Sequence, residues 1–202
     1  THFKDMKISV TAAVKLLARA TYSLEARRKA VRLIRDAQPN IAYLHNLYNY
    51  MSPSVIDACS REGLPIVMRV PDYNLICAEL HLLRDGHVCR ECIGRSPLHA
   101  IRHRCLKGSL AATTARSVSM FVHNLLGIYR KVDLYITPSA FMRKTLIEAG
   151  YDAERIVHVP SFYPGQIQMD QEKVEKNYFL YFGRISTEKG LDTLLRACAN
   201  VD

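Results

Sequence analysis

Residues 41–70 read IAYLHNLYNYMSPSVIDACSREGLPIVMRV, and this stretch decides the fold. Ile41-Ala42-Tyr43-Leu44-His45 is short, apolar and rich in strand formers, so it reads as a β-strand; Asn46 to Met51 reads as a loop. Ser52-Pro53 then opens a helix, with Ser52 as its N-cap and proline in the first turn, and Gly63 closes it. Pro65-Ile66-Val67-Met68-Arg69-Val70 is a second strand. Strand, helix and strand within about 30 residues form a βαβ unit, which implies a parallel sheet and a right-handed crossover.

The same grammar extends outward. Upstream, Ser23 to Ala37 predicts a helix: Ser23 caps it, Leu24, Ala30, Val31 and Ile34 share a face, and Arg27, Arg28, Arg32 and Arg35 cover the rest. Gln38-Pro39-Asn40 ends it. Downstream, Val132 to Thr137 is a strand, Ser139 caps a helix ending at Gly150, and Arg155 to Val159 is a further strand. Pro160 to Lys176 has linker composition; Tyr178 to Phe182 then reads as a strand and Gly190 to Asn200 as a helix. We therefore expect one α/β domain over 1–165, a linker at 166–177, and the beginning of a second α/β domain at 178–202. Residues 72–107 form an irregular insert in the first domain, followed by a helix of about twenty residues from Ser109 to Tyr129.

The chain has 202 residues, 49% hydrophobic and 23% charged, an ordinary globular composition that excludes wholesale disorder. Its most apolar stretch, Leu110 to Tyr129, is broken by Arg116, His123 and Asn124, short of the roughly 20 apolar residues of a spanning helix. The start, Thr-His-Phe-Lys-Asp-Met-Lys, is neither a signal peptide nor an initiator methionine, so we expect the chain to begin within a longer protein. Twenty-eight Lys and Arg against 19 Asp and Glu give a net charge of +9, which favours an anionic partner.

Ligands of open parallel sheets collect at the carboxyl ends of the strands. Those ends carry His45-Asn46 followed by Tyr48, Asn49 and Tyr50, then Pro71-Asp72-Tyr73, then Thr137-Pro138-Ser139. Directional hydrogen bonds from His45, Asn46, Asp72 and Tyr73 suit a sugar or a phosphate, although a histidine at a strand end can also just bond to backbone. Ser139 is first a helix cap; the same helix start could also receive an anion. In Phe182-Gly183-Arg184-Ile185-Ser186-Thr187-Glu188-Lys189-Gly190 a strand ends, Gly183 frees the backbone, and Arg184 and Lys189 flank a turn before a helix. Two cations beside a helix start can hold a diphosphate, and equally can form a solvated charged turn. The segment is neither a Walker loop nor a Gly-x-Gly-x-x-Gly fingerprint, which counts against P-loop hydrolases and Rossmann dehydrogenases.

Gly183-Arg184 through Glu188-Lys189-Gly190-Leu191-Asp192 resembles the Gly-Arg…Glu-Lys-Gly signature of glycosyltransferase family 4, the large retaining GT-B group. Tyr43-Leu44-His45-Asn46 resembles that family's His-x-His-Asn strand end, Asp72 to Cys77 its His-Asp-Tyr-x-Leu-x-Cys segment, and Pro138-Ser139 with Phe141 to Gly150 its Pro-Ser-x-Phe helix. The likeness implies two Rossmann-like domains facing across a cleft, the first receiving the acceptor and the second a nucleotide-diphosphate sugar. It implies that Arg184 and Lys189, with Gly183, hold the donor diphosphate without a divalent metal, and that transfer retains anomeric configuration. Asn46, Tyr73 and Ser139 fall on the acceptor side, with Asp72 and His45 as candidate catalytic groups. One departure is Pro71, where many relatives have histidine before the aspartate, so Asp72 or His45 would have to serve. The family's Glu-x7-Glu segment is expected beyond Asp202 and its Gly-rich loop before Thr1, so the chain is expected to be a fragment inactive alone. A glycan or lipid-linked acceptor and a cytoplasmic setting, peripheral at the inner membrane face, complete the expectation.

Cys77, Cys89, Cys92 and Cys105 form Cys-x11-Cys-x2-Cys-x12-Cys within the insert. That spacing fits a structural zinc; free thiols, disulfides and an iron–sulfur cluster are the alternatives, and His81, His87, His99 and His103 are further ligand candidates. Cys59 and Cys198 sit on predicted helices as packing residues. Arg84 to Lys107 carries six cations against Asp85 and Glu91, a local +4, but no aromatic residue to stack on bases. That favours an anionic acceptor or a membrane surface over nucleic acid. A non-catalytic, zinc-stabilised binding module and a nucleic-acid-binding protein are the rivals from other classes.

Overall fold

The computed structural model describes residues 17–47, 51–162, 165, 178–186 and 189–200. Tyr48, Asn49 and Tyr50, Thr187 and Glu188, and the expected linker 166–177 lie outside the described residues. The chain divides into two compact units, Thr1–Phe162 and Tyr163–Asp202.

The first unit is an α/β structure built on a four-stranded, fully parallel sheet in the order β1-β2-β5-β6, a Rossmann-like arrangement. Strands β1 (Ala42–His45) and β2 (Ile66–Arg69) are joined by α2 (Ser54–Arg61), which realises the crossover expected of residues 41–70. Helix α1 (Leu24–Ala37) precedes β1, with the Ser23 hydroxyl accepting from the Ala26 N–H. Strand β5 (Leu134–Thr137) leads into α5 (Ala140–Glu148), capped by Ser139, and β6 (Ile156–His158) follows. Alternation buries Ile66 and Met68 on β2 and Tyr135 and Thr137 on β5. Ile56, Val132 and Leu146 complete a single apolar core around the sheet.

Ser52 is not the cap of α2. Pro53 occupies that position without a side-chain cap, and Ser52 is buried where α1 and α2 start side by side. Its Oγ accepts from the Ser23 N–H at 2.8 Å and lies 2.7 Å from the Ser54 Oγ, whose own proton goes to the Ser23 carbonyl at 2.8 Å. Each hydroxyl has one proton, so Ser52 donates to Ser54 and the three bonds close a ring. Two side chains at the start of α2 thus satisfy the backbone N–H and C=O of Ser23 at the start of α1.

The expected irregular insert contains an antiparallel hairpin, β3 (Leu83–Arg84) and β4 (His87–Val88), turned at Asp85-Gly86, and a short helix α3 (His99–Arg102). The Asp-Gly pair, with φ of 51° and 79°, was the readable hairpin signal. The following helix is also shorter than expected: α4 runs Leu110–Leu125 and gives way to a 3₁₀ turn at Ile128–Lys131. Gly127 breaks it, holding φ at 58°, a value costly for a residue with a Cβ.

In the second unit, α6 (Leu191–Cys198) forms as expected, with Gly190 at its N-cap. Residues 178–182 do not form the expected strand. Phe182 is 99% exposed, and a strand exists only as a member of a ladder; among the described residues none pairs with this segment.

Candidate functional site

Parallel pairing sets four strand ends level. His45 on β1 is in register with Arg69 on β2, Arg69 with Ile136 on β5, and Thr137 with His158 on β6. This rim is where the sequence placed its candidates. His45 and Asn46 are exposed at the edge strand, and Asn46 turns the chain there with φ of 53°. Asp72 and Tyr73 lie just past β2. One Asp72 carboxylate oxygen accepts from the Asn74 N–H at 3.0 Å, which fixes the side chain at the start of the insert. The Tyr73 ring meets Phe141 edge-on, with centroids 6.4 Å apart, and burial raises its phenol above the ordinary range. Tyr73 is therefore brought against the first turn of α5, where the Ser139 hydroxyl accepts from the Met142 N–H at 3.1 Å. Ser139 thus caps α5.

The rim brings Asp72, Tyr73 and the start of α5 together. It does not join His45 to Asp72, since no hydrogen bond or ion pair links the two. Sequence reading missed Arg69 and His158. Arg69 donates from Nη2 to the Ser161 Oγ at 2.9 Å and holds a cation at the carboxyl edge; His158 is exposed at the end of β6. The available signal for Arg69 was a charge closing an apolar strand.

The Gly183–Lys189 turn lies in the second unit. The Tyr181 hydroxyl donates to the Arg184 carbonyl at 2.7 Å, and a Cβ at Gly183 would stand 2.9 Å from that hydroxyl oxygen. The Lys189 N–H donates to the Ser186 carbonyl at 3.0 Å, which closes a turn directly before α6. Arg184 and Lys189 are both exposed. The Ser186 hydroxyl is buried with no hydrogen-bond partner among the described residues.

The four insert cysteines are half-buried, and Cys92 and Cys105 pack against Ala78, Ala100 and Met120. Burial, then the neighbouring Cys77, Cys105 and Cys89, push the Cys92 thiol up to about 11; burial likewise raises Cys105. All six cysteines are free, so no disulfide forms. The thiols influence one another but do not make a coordination sphere: among the described residues no group of three or more His, Cys, Asp or Glu is placed to hold a metal ion. No function is routed through a metal at these cysteines. The insert is held by other means. Glu91 accepts from Arg84 at 2.8 Å and faces His103 Nε2 at 2.9 Å, while Arg90 pairs with Glu148 on α5. Gly94, at φ 65°, lies where a Cβ would meet the Glu148 carbonyl oxygen at 3.1 Å. Part of the insert's +4 is thus spent on internal pairs. Among the described residues no helix is long and apolar enough to cross a membrane.

In comparisons with known proteins, no family model matches the chain, and neither a curated protein nor a solved structure matches it.

Proposed function

We propose that the chain is part of a retaining glycosyltransferase of GT-B type that uses a nucleotide-diphosphate sugar. The observation that carries this reading is the turn Gly183–Gly190, where Arg184 and Lys189 stand within six residues at the start of α6 with a glycine at each end. When the glycosidic C–O bond breaks, its electron pair leaves with the diphosphate. Two cations and a helix start stabilise that charge as it forms, which lowers the barrier. The acceptor hydroxyl attacks the anomeric carbon on the face the diphosphate vacates, and its proton goes to the leaving phosphate. In this reading the rim of the first unit receives the acceptor, a glycan or a lipid-linked glycan. Asn46, Tyr73 and Asp72 supply hydrogen bonds there, and His45 and Asp72 are the groups nearest the chemistry. Cytoplasmic work at a membrane face follows from such an acceptor, with the surplus cations of the insert as the contact.

The test is release of nucleoside diphosphate from a panel of UDP- and GDP-sugars by the full-length protein, with and without EDTA. The reading requires turnover that EDTA leaves unchanged and that Arg184→Ala lowers by about a hundredfold, the usual scale for one charge stabiliser. Turnover that is absent for every donor, or indifferent to Arg184→Ala, contradicts it.

A further inference from the structure

The first unit holds a cavity of about 560 Å³ away from the rim. Val132 and Arg155, which line it, precede β5 and β6, whereas Thr137 and His158 end those strands. Strands of this length separate the two ends by about 10 Å. The cavity lies between the insert, the carboxyl half of α4 and the loops before β5 and β6, and it opens to solvent where Arg95, Arg130 and Arg155 are exposed. Its volume lies in the range of small-molecule sites.

The chemistry of the wall is two-sided. Leu75, Ile76 and Met120, all buried, give it an apolar part. Arg95, Arg130 and Arg155 give it a cationic part, opposed by Asp152 alone. Arg155 is anchored: its Nη1 donates to the Arg130 carbonyl at 3.2 Å and its Nε lies 3.6 Å from an Asp152 oxygen. Among the described residues neither the Arg95 nor the Arg130 guanidinium has an ion-pair partner. Burial lowers the pKa of His123, outweighing the bond that its Nε2 donates to the Thr21 carbonyl at 2.7 Å. Three guanidinium charges less one carboxylate leave +2 among the residues lining a partly apolar cavity.

We infer that this cavity is a second ligand site, for a small organic phosphate with an apolar body. Guanidinium forks match tetrahedral oxyanions, and a phosphate monoester carries close to two negative charges at pH 7. A bare phosphate would leave most of the volume and the apolar wall unused. The inference stands apart from the glycosyl-transfer reading, since none of the residues assigned to donor or acceptor lines the cavity.

The experiment is calorimetric titration of the full-length protein with phenyl phosphate, inorganic phosphate and phenol. Phenyl phosphate should bind saturably and more tightly than either fragment. Arg95→Glu and Arg130→Glu should each weaken it about tenfold or more, the scale of a lost charge-assisted bond, with the thermal midpoint unchanged. Arg184→Ala should leave it unchanged. Phenyl phosphate that fails to bind at millimolar concentration, binds both glutamate variants as tightly as the wild type, or binds no better than inorganic phosphate overturns the inference. So does loss of its binding in Arg184→Ala, which would assign it to the donor turn.

Discussion

At the scale of the residue, two buried polar groups carry measurable stability. Ser52 closes the ring with Ser23 and Ser54, so Ser52→Ala leaves a half-buried N–H and a buried hydroxyl without their partners. It should cost about 2 kcal/mol in urea unfolding; a cost below about 0.5 kcal/mol would show that the ring is incidental. Asp57 on α2 accepts from the Tyr22 hydroxyl at 2.5 Å and pairs with Lys131. Burial pushes its carboxyl up, but the bonds from Lys131 and Tyr22 outweigh that and hold it below the ordinary 3.8. A depressed folded pKa contributes stability that is complete above the ordinary value and is lost as pH falls through the folded one. The wild type should therefore lose stability below about pH 4, while Asp57→Asn should start about 2 kcal/mol lower near neutrality and show a shallower acid slope. Parallel pH profiles for the two proteins would refute the assignment. Neither role was legible from sequence: Ser52 before Pro53 has the form of a helix cap, and only tertiary packing shows that a neighbouring helix start claims its hydroxyl.

At the scale of the element, punctuation was legible and partnership was not. Gly63 and Pro65, Ser139 and Gly150 delimit strands and helices that form close to where they were expected, because these residues act on their own backbone. Residues 178–182 have strand composition and form no strand, because composition cannot supply a partner. Gly127 could have divided the long helix on sight. Gly127→Ala should cost about 1 kcal/mol, since the 3₁₀ turn needs its positive φ; an unchanged denaturation midpoint would mean that the turn can rearrange without loss. The insert offers a second check. With its thiol near 11 against an ordinary 9.0, Cys92 should alkylate about a hundredfold more slowly than a free cysteine at pH 8 and speed up until about pH 11, with or without EDTA. Peptide mapping after iodoacetamide reads this directly, and labelling that EDTA accelerates would reveal a bound metal and correct the account of the cluster.

At the scale of the molecule, the parallel sheet was readable in residues 41–70, and with it the rim that carries His45, Asn46, Asp72 and Tyr73. Arg69 and His158 join that rim only through strand register, and the cationic cavity only through packing of segments between Leu75 and Arg155. Arg84 and Arg90 are offset by Glu91 and Glu148, so the net charge of +9 rests on other cations, among them the arginines of the cavity and the Arg184 and Lys189 turn. The account rests most heavily on the last of these. Titration of the full-length protein with UDP and GDP in EDTA addresses it most directly. One of the two should bind, and Arg184→Ala and Lys189→Ala should each weaken that binding about tenfold or more. Affinity that survives both substitutions, or no binding of either nucleotide, would contradict the account.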